Sequence, residues 1–362
     1  MDNEKRYQLL EKLSNAFGAP CFEEEVHNAA KEFVKDFADT SSDSLFNLYI
    51  KLKKNTGDKP VLLLDAHSDE VAFMAQSFLP NGLIKFVAVG SWVVTALPSQ
   101  TLRIRCHGGK YITGVITTKP VHFATAEDKE PQAIEKLTVD VGASRLDELY
   151  TVFNISPGVP MVPAVSMERT KNGLAFGKAF DCRVGCCALL DAMEQLSKLD
   201  LPVDVIGVLS SQEEVGGRGA GLAARRVHPD IALVFEGSPA DDSFTPEWEA
   251  QCAINKGVQL RHIDRTAIAH PGMISLAKEV ATSKGIKFQE AVRRGGGTNS
   301  AHYTNLGVPN IVLGVPVRYA HSHYGFTSLD DCKATSDLAV ALAPLLSPDV
   351  IQGFRDGNRG SW

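Results

Sequence analysis

Glu213 and Glu214 stand side by side in "SSQEEVGGRGAG" (residues 210–221), between an apolar run and a glycine-rich turn. On a solvated loop such a pair needs no explanation. Here it follows "VDVIGVLSS", which reads as a strand covered on both faces, so two carboxylates meet at the mouth of a buried strand. Like charges in that position repel and desolvate each other unless something positive lies between them. Other segments deliver chemistry-bearing residues in the same way. His67 and Asp69 follow "VLLLDA", Glu236 follows "IALVF", and His321 follows "VLGVPVRYA"; Asp181, in "AFDCR", opens a helix. Ligands of open α/β sheets bind at the carboxyl ends of the strands, so the spacing predicts one rim carrying two imidazoles and several carboxylates. That donor mixture suits Zn²⁺, with Co²⁺ or Mn²⁺ as alternatives.

Taken singly, each residue has a plainer role. A histidine after a strand is most often a hydrogen-bonded loop residue, an aspartate opening a helix is usually its N-cap, and Glu236 alone reads as a surface charge. Those plain roles must all hold together, however, and they leave Glu213 and Glu214 unpaired beside the rest. The joint pattern favours a metal site. His27, His107, His122, His228, His262, His270 and His323 read as structural or solvated, while His302, in "GGGTNSAHY", is undecided.

The elements that must position these residues fall into two textures. Residues 5–37 read as two helices broken near "GAPCFEEEV", and "VLLLDAHSDE" as a short strand ending in polar residues. From 71 to 163 the segments "GLIKFVAVG", "TLRIRCHGGKYITGVITT" and "KLTVDVGA" are short, β-branched and punctuated by Gly and Pro, which predicts a small β-rich domain inserted into a larger one. From 164 onward helix and strand alternate: helix at 183–199, strand at 203–210, helix at 217–227, then the strand "DIALVFEG". The helix "PGMISLAKEVATSKG", the strands "KFQEAV" and "PNIVLGVP", and a last helix at 329–345 complete the series. Alternation of this kind predicts an α/β fold, a mixed sheet with helices on both faces, built from 1–70 and 164–362.

Composition narrows the function. A chain of 362 residues with 44 % hydrophobic and 22 % charged residues can bury a sizeable core. A formal net charge of −6 with no lysine/arginine cluster argues against nucleic-acid or anionic-membrane partners. The charged, helix-periodic start is unlike a signal peptide, and no apolar stretch is long enough to span a bilayer. Seven cysteines without a C-x-x-C point to reduced thiols and a cytosolic location. "CRVGCC" (Cys182, Cys186, Cys187) has the makings of a thiolate site, but reads better as small buried residues on a helix.

"DAHSDEVAF", "GKAFDCRVG", "SQEEVGGRGA", "GGGTNSAH" and "VPVRYAHS", in this order and spacing, resemble the tetrahedral (TET-type) and glutamyl aminopeptidases, a metallopeptidase family some of whose members were once labelled endoglucanases. The likeness extends over nearly the whole chain. It implies a two-metal exopeptidase in which Asp181 bridges the ions, His67 and Glu236 complete one site, and Glu214 and His321 the other. It further implies Glu213 as general base, Asp69 orienting His67, short peptides as substrates, and a homo-oligomer up to a dodecamer assembled through the insert. The chain departs from the family pattern at Cys182 ("DCR" for "DDR"), Glu236 (for Asp), Asn299 ("GGTN" for "GGTD") and Ser68 (for Met). Glu236 leaves open a carboxypeptidase or N-deacylase on the same site, since the choice of Asp or Glu there accompanies that difference in related enzymes. A glycoside hydrolase needs two carboxyls and no metal, which would leave His67 and His321 idle. Cys182 and Asn299 also leave open a non-catalytic binding protein.

Overall fold

The computed structural model describes residues 1–123 and 132–360. The chain opens with α1 (Asn3–Asn15) and α2 (Glu24–Val34), then β1 (Ala38–Ser42), β2 (Leu48–Leu52) and β3 (Val61–His67). Next come β4 (Ala72–Phe78), β5 (Ile84–Val89), β6 (Thr101–Arg105), β7 (Tyr111–Ile116), β8 (Val139–Asp140), α3 (Leu146–Thr151) and β9 (Pro160–Pro163). β10 (Glu168–Arg169) and β11 (Ala175–Gly177) lead into α4 (Phe180–Leu196), β12 (Asp204–Ser210), α5 (Arg218–Val227), β13 (Ile231–Pro239) and β14 (Val258–Ile263). The remainder is α6 (Pro271–Lys284), β15 (Phe288–Val292), α7 (Ser300–Thr304), β16 (Asn310–Arg318), β17 (Gly325–Thr327), α8 (Leu329–Leu342) and α9 (Pro348–Arg355).

Among the described residues the strands form two sheets. The larger is mixed and runs β1-β2-β12-β3-β13-β16-β17-β11-β10, with β14 joined to β16 and β15 to β14. Its centre, β12-β3-β13-β16, is parallel. β3, β12, β13 and β16 read as nearly unbroken apolar runs because helices cover both of their faces. The α/β mixed sheet expected from the alternation is therefore present. The second sheet is a closed barrel, β4-β5-β8-β7-β6-β9. It has its own apolar centre, where Phe73 stacks on Trp92 with ring centroids 4.4 Å apart.

α4 is buried all round, as a helix without a polar face must be, and it packs on β3 and β13. Small residues let it approach closely. At Gly237 on β13, a Cβ would lie 2.7 Å from the Asp181 Cα and from the Phe180 carbonyl oxygen, so only glycine lets the start of α4 lie against the strand beside Glu236. No single helix among the described residues is long and apolar enough to cross a membrane.

Candidate metal centre

The predicted residues sit at or just beyond a strand end, at the start of α4 or, for Glu236, inside β13, and most of them converge. His67 ends β3 and is 2 % exposed. Its Nδ1 faces two oxygens of Asp69, the backbone carbonyl at 3.1 Å and Oδ1 at 3.6 Å. With the proton on Nδ1, Nε2 turns a lone pair toward Asp181 Oδ1 at 3.1 Å and Glu236 Oε1 at 3.5 Å. A lone pair facing two carboxylates calls for a cation between them.

Asp181 lies where α4 is not yet helical (φ −83°, ψ 105°), and this extended backbone carries its carboxylate to the sheet rim. Oδ1 meets His67, and Oδ2 lies 3.2 Å from His321 Nε2. One carboxylate thus links the two imidazoles, one oxygen to each. His321 occupies the loop beyond β16 in a left-handed conformation (φ 61°). Its Nδ1 lies 2.9 Å from the Ser91 carbonyl, and its own carbonyl accepts from Val93 N–H at 3.2 Å. The 71–163 block therefore braces one histidine of the site.

Glu213 and Glu214 follow β12 in a turn closed by Gly216 and Gly217 N–H groups donating to the Glu213 carbonyl at 2.8 and 3.0 Å. Asp69, fully buried, accepts the Glu213 amide on Oδ1 and the Glu214 amide on Oδ2, both at 3.1 Å. Glu214 Oε2 lies 3.8 Å from His321 Nε2, while its Oε1 is buried with no hydrogen-bond partner. Glu236, inside β13, accepts from Gly237 N–H at 3.0 Å.

The electrostatics have one theme. Burial and the neighbouring Glu236, Asp69 and Asp181 carboxylates push Glu213 up to about 8, although His67 opposes them. Glu214 and Glu236 are raised for the same reasons, burial first. Burial would lower His321, yet Asp181 and Glu214 raise it to about 10. Three glutamates driven toward protonation beside histidines driven toward charge mark a cluster short of positive charge, while Asp181, against its burial, is held low by His321 and His67. The donor atoms agree. Those of His67, Asp181, Cys182 and Glu236 lie within 4.8 Å of one another, and so do those of Asp181, Glu214 and His321. With the orphaned Glu214 Oε1, they fit divalent cations on either side of Asp181.

The model of the M42 glutamyl aminopeptidase family matches residues 47–338. The chain belongs to that family. It is 31 % identical over 318 residues to the glutamyl aminopeptidase of Lactococcus lactis, covering 87 % of this chain and 88 % of the relative. It superposes with a TM-score of 0.91 on the TET aminopeptidase of a marine sediment Thaumarchaeota archaeon, at 33 % identity and with 97 % and 99 % of the two chains covered. The TET1 peptidase of Pyrococcus horikoshii, described as assembling into a tetrahedron or a large octahedral shell, gives a TM-score of 0.84 at 26 % identity, with 93 % and 99 % covered.

The departures from the family pattern acquire surroundings in the structure. Ser68 hydroxyl donates to the Ser210 carbonyl at 3.0 Å and sits 3.1 Å from His27 Nε2. Asn299, at the start of α7, donates to Ser210 Oγ at 2.8 Å, and Ser210 donates to Asp65 at 2.8 Å behind the strand ends. His302 packs on the turn after the glutamate pair, where a Cβ on Gly217 would meet its Nε2 at 2.3 Å. The other histidines lie outside both donor groups.

Sequence reading missed a buried support. Glu70 pairs with Lys178 Nζ at 2.6 Å and Arg183 Nη2 at 3.0 Å, and Arg183 Nε donates to the Ser68 carbonyl at 2.9 Å, between His67 and Asp69. It also missed the basic lining of the site. The cluster opens into a cleft of about 710 Å³ whose lining includes Arg261, Arg265, Arg293 and Arg294. Arg261 and Arg293 are engaged with Ser238 and Asp241, whereas Arg265 and Arg294 are exposed and their guanidinium groups have no hydrogen-bond or ion-pair partner among the described residues. "VRRGGGTN" held the cue, two arginines beside a glycine run, all of which line the cleft.

Proposed function

We propose that the chain is a two-metal aminopeptidase that removes N-terminal residues, acidic ones preferentially, from short peptides. The observation that carries this reading is Asp181, whose two carboxylate oxygens each face a different histidine, at 3.1 and 3.2 Å. His67, Asp181 and Glu236 would hold one divalent ion, and Asp181, Glu214 and His321 the other, with Zn²⁺ the first choice and Co²⁺ or Mn²⁺ alternatives. When bound, such a pair supplies Lewis acidity at the scissile carbonyl and lowers the pKa of the attacking water. Glu213 takes the proton from that water and returns it to the leaving amine. Asp69, gripping both glutamate amides, keeps Glu213 and Glu214 in these separate roles.

Arg265 and Arg294 line the same cleft as the carboxylates, so a substrate bound in it meets both negative and positive charge. An acidic first side chain directed toward the arginines and away from the carboxylates fits that polarity, in keeping with the glutamyl aminopeptidase relative. The second reading, a carboxypeptidase, places the C-terminal carboxylate on the same arginines. Glutamyl-, alanyl- and lysyl-anilides have a free amine and no terminal carboxylate, and N-blocked dipeptides the reverse. We expect metal-dependent turnover of the anilides with the glutamyl compound fastest. Turnover confined to N-blocked dipeptides would replace this reading with the second.

We assign the barrel to assembly of a homo-oligomer with copies of this chain. In the connections between its strands Val121, Phe123 and Val152 are 83, 70 and 71 % exposed, apolar side chains expected to be covered in the assembly.

A further inference from the structure

We propose that the Cys182 thiol is a fourth protein donor to the ion held by His67, Asp181 and Glu236, which makes that site a sulfur-containing, zinc-selective one. The inference rests on the metal-binding reading above and goes beyond it. Where the family pattern expects a second aspartate, this chain has a cysteine, and its Sγ lies within the same 4.8 Å cluster as the other three donor atoms. Cys182 is fully buried. Its one polar contact is a weak hydrogen bond to the Phe235 carbonyl at 3.4 Å, on the residue that precedes Glu236. Cys186 and Cys187 differ: their thiols point to the carbonyls of His67 and Arg6, and neither belongs to a donor group.

The non-helical backbone at Asp181 and Cys182 explains why neighbouring residues serve one centre. In a regular helix adjacent side chains diverge, but Cys182 (φ −115°, ψ 35°) precedes the first regular turn, which starts at Arg183. Coordination replaces the S–H bond with a sulfur–metal bond, and the thiol proton leaves with solvent. Only the weak contact to Phe235 is given up. An independent sign of cation binding is the buried, unpartnered Glu214 Oε1 on the other side of Asp181.

Two properties follow. Thiolate is a soft ligand that favours Zn²⁺ and Co²⁺ over Mn²⁺ and Mg²⁺, so the two sites have unlike selectivity. The Cys182 site also carries four protein donors, whereas Asp181, Glu214 and His321 supply three. A catalytic ion keeps an open position, so the chemistry concentrates at the three-donor site and the Cys182 site holds its ion more tightly.

Cobalt(II) tests this directly, because a cobalt–thiolate bond adds a near-ultraviolet charge-transfer band to the visible d–d bands that any bound cobalt shows. Metal-stripped protein is titrated with Co²⁺ and the spectra compared with those of Cys182→Ser and Cys182→Asp. We expect the charge-transfer band in the native chain and in neither variant, with visible bands in all three. We also expect one Zn²⁺ equivalent to resist a chelator in the native chain and to be held at least about tenfold more weakly in Cys182→Ser, a change at the scale by which even supporting partners tune metal affinity. Visible bands without the near-ultraviolet band in the native chain overturn the role of Cys182 and leave the metal centre standing. No cobalt bands at all overturn both. The native spectrum decides even if a variant misfolds, and a charge-transfer band that survives in Cys182→Ser assigns the sulfur elsewhere and also overturns the proposal.

Discussion

Asp69 holds Glu213 by the backbone: the Glu213 amide donates to Asp69 Oδ1 at 3.1 Å, and the Glu214 amide fills Oδ2 at the same distance. A carboxylate with both oxygens committed to amides beyond the neighbouring parallel strand fixes a turn as firmly as it orients an imidazole. Asp69→Asn keeps the shape but turns one acceptor into an NH₂ group facing a backbone N–H. Losing a buried charge-assisted hydrogen bond costs roughly 1.5–3 kcal/mol, and supporting partners of metal ligands typically contribute about 10–100-fold. We therefore expect Asp69→Asn to lower both the denaturation midpoint and metal affinity. If it changed only the pH profile of His67, leaving stability and the glutamate turn intact, the backbone role would be wrong.

Glu213→Gln and Glu214→Gln are expected to separate catalysis from metal holding. Glutamine keeps the volume of either side chain and removes the basic carboxylate. At 213 this removes the proton acceptor, so kcat falls about 10²–10⁴-fold with KM nearly unchanged and metal content intact. At 214 it removes a candidate ligand, so occupancy falls and added metal restores part of the rate. Elemental analysis beside steady-state kinetics checks both. Rescue by metal at 213 and none at 214 would exchange the two roles.

Asp181→Ala is expected to lose both ions, because each candidate set depends on one of its oxygens. His321→Ala is expected to weaken only one. Unchanged occupancy in Asp181→Ala would remove the bridge from the scheme.

The rim was legible because its residues follow apolar runs whose lengths and turns mark strand ends. The strand expected at 203–210 is Asp204–Ser210, and the helix expected at 217–227 is Arg218–Val227. β14 was not legible. Its "VQLRHI" buries Gln259 and Arg261, which break the apolar run a covered strand normally shows. Contacts between distant segments were hidden for a different reason. That Ser91 braces His321, or that Asp69 reaches the 213–214 amides, depends on which loops meet in space. Periodicity along one segment carries no information about that.

His27, a member of neither donor group, gives a pH prediction. Burial first, then Lys31 and Arg183, lowers its pKa to about 4, and the neutral ring meets Ser68 Oγ at 3.1 Å. Below about 6.5 the unfolded chain binds a proton at this ring that the folded chain refuses until about 4. Its contribution to stability is thus present above that ordinary value and is lost as pH falls through the window. The loss is roughly 2 kcal/mol by about pH 5. His27→Gln keeps a polar partner for Ser68 but cannot titrate. Urea midpoints of native and variant proteins should converge between pH 7 and 5, and parallel curves would remove His27 from the acid response.

Glu70 is the one acid in a buried triad with two cations, Lys178 and Arg183, all at most 2 % exposed. Lys178 also donates to the Ala16 carbonyl at 3.0 Å, and Arg183 to the Ser68 carbonyl at 2.9 Å, so the triad ties α1 and the start of α4 to the turn carrying His67 and Asp69. Removing one partner of a buried ion pair costs about 3–5 kcal/mol, because the charge left behind stays desolvated. Glu70→Gln leaves two such charges, whereas Lys178→Met leaves a balanced Glu70–Arg183 pair and adds an apolar stem in the same space. We expect Glu70→Gln to be the more destabilising in urea and to weaken metal binding as the turn loosens. Adding Lys178→Met to it should recover part of the loss. If Lys178→Met proves the worse of the two, the triad is held by the packing and backbone hydrogen bonds of the lysine, and charge balance is not what stabilises this corner of the site.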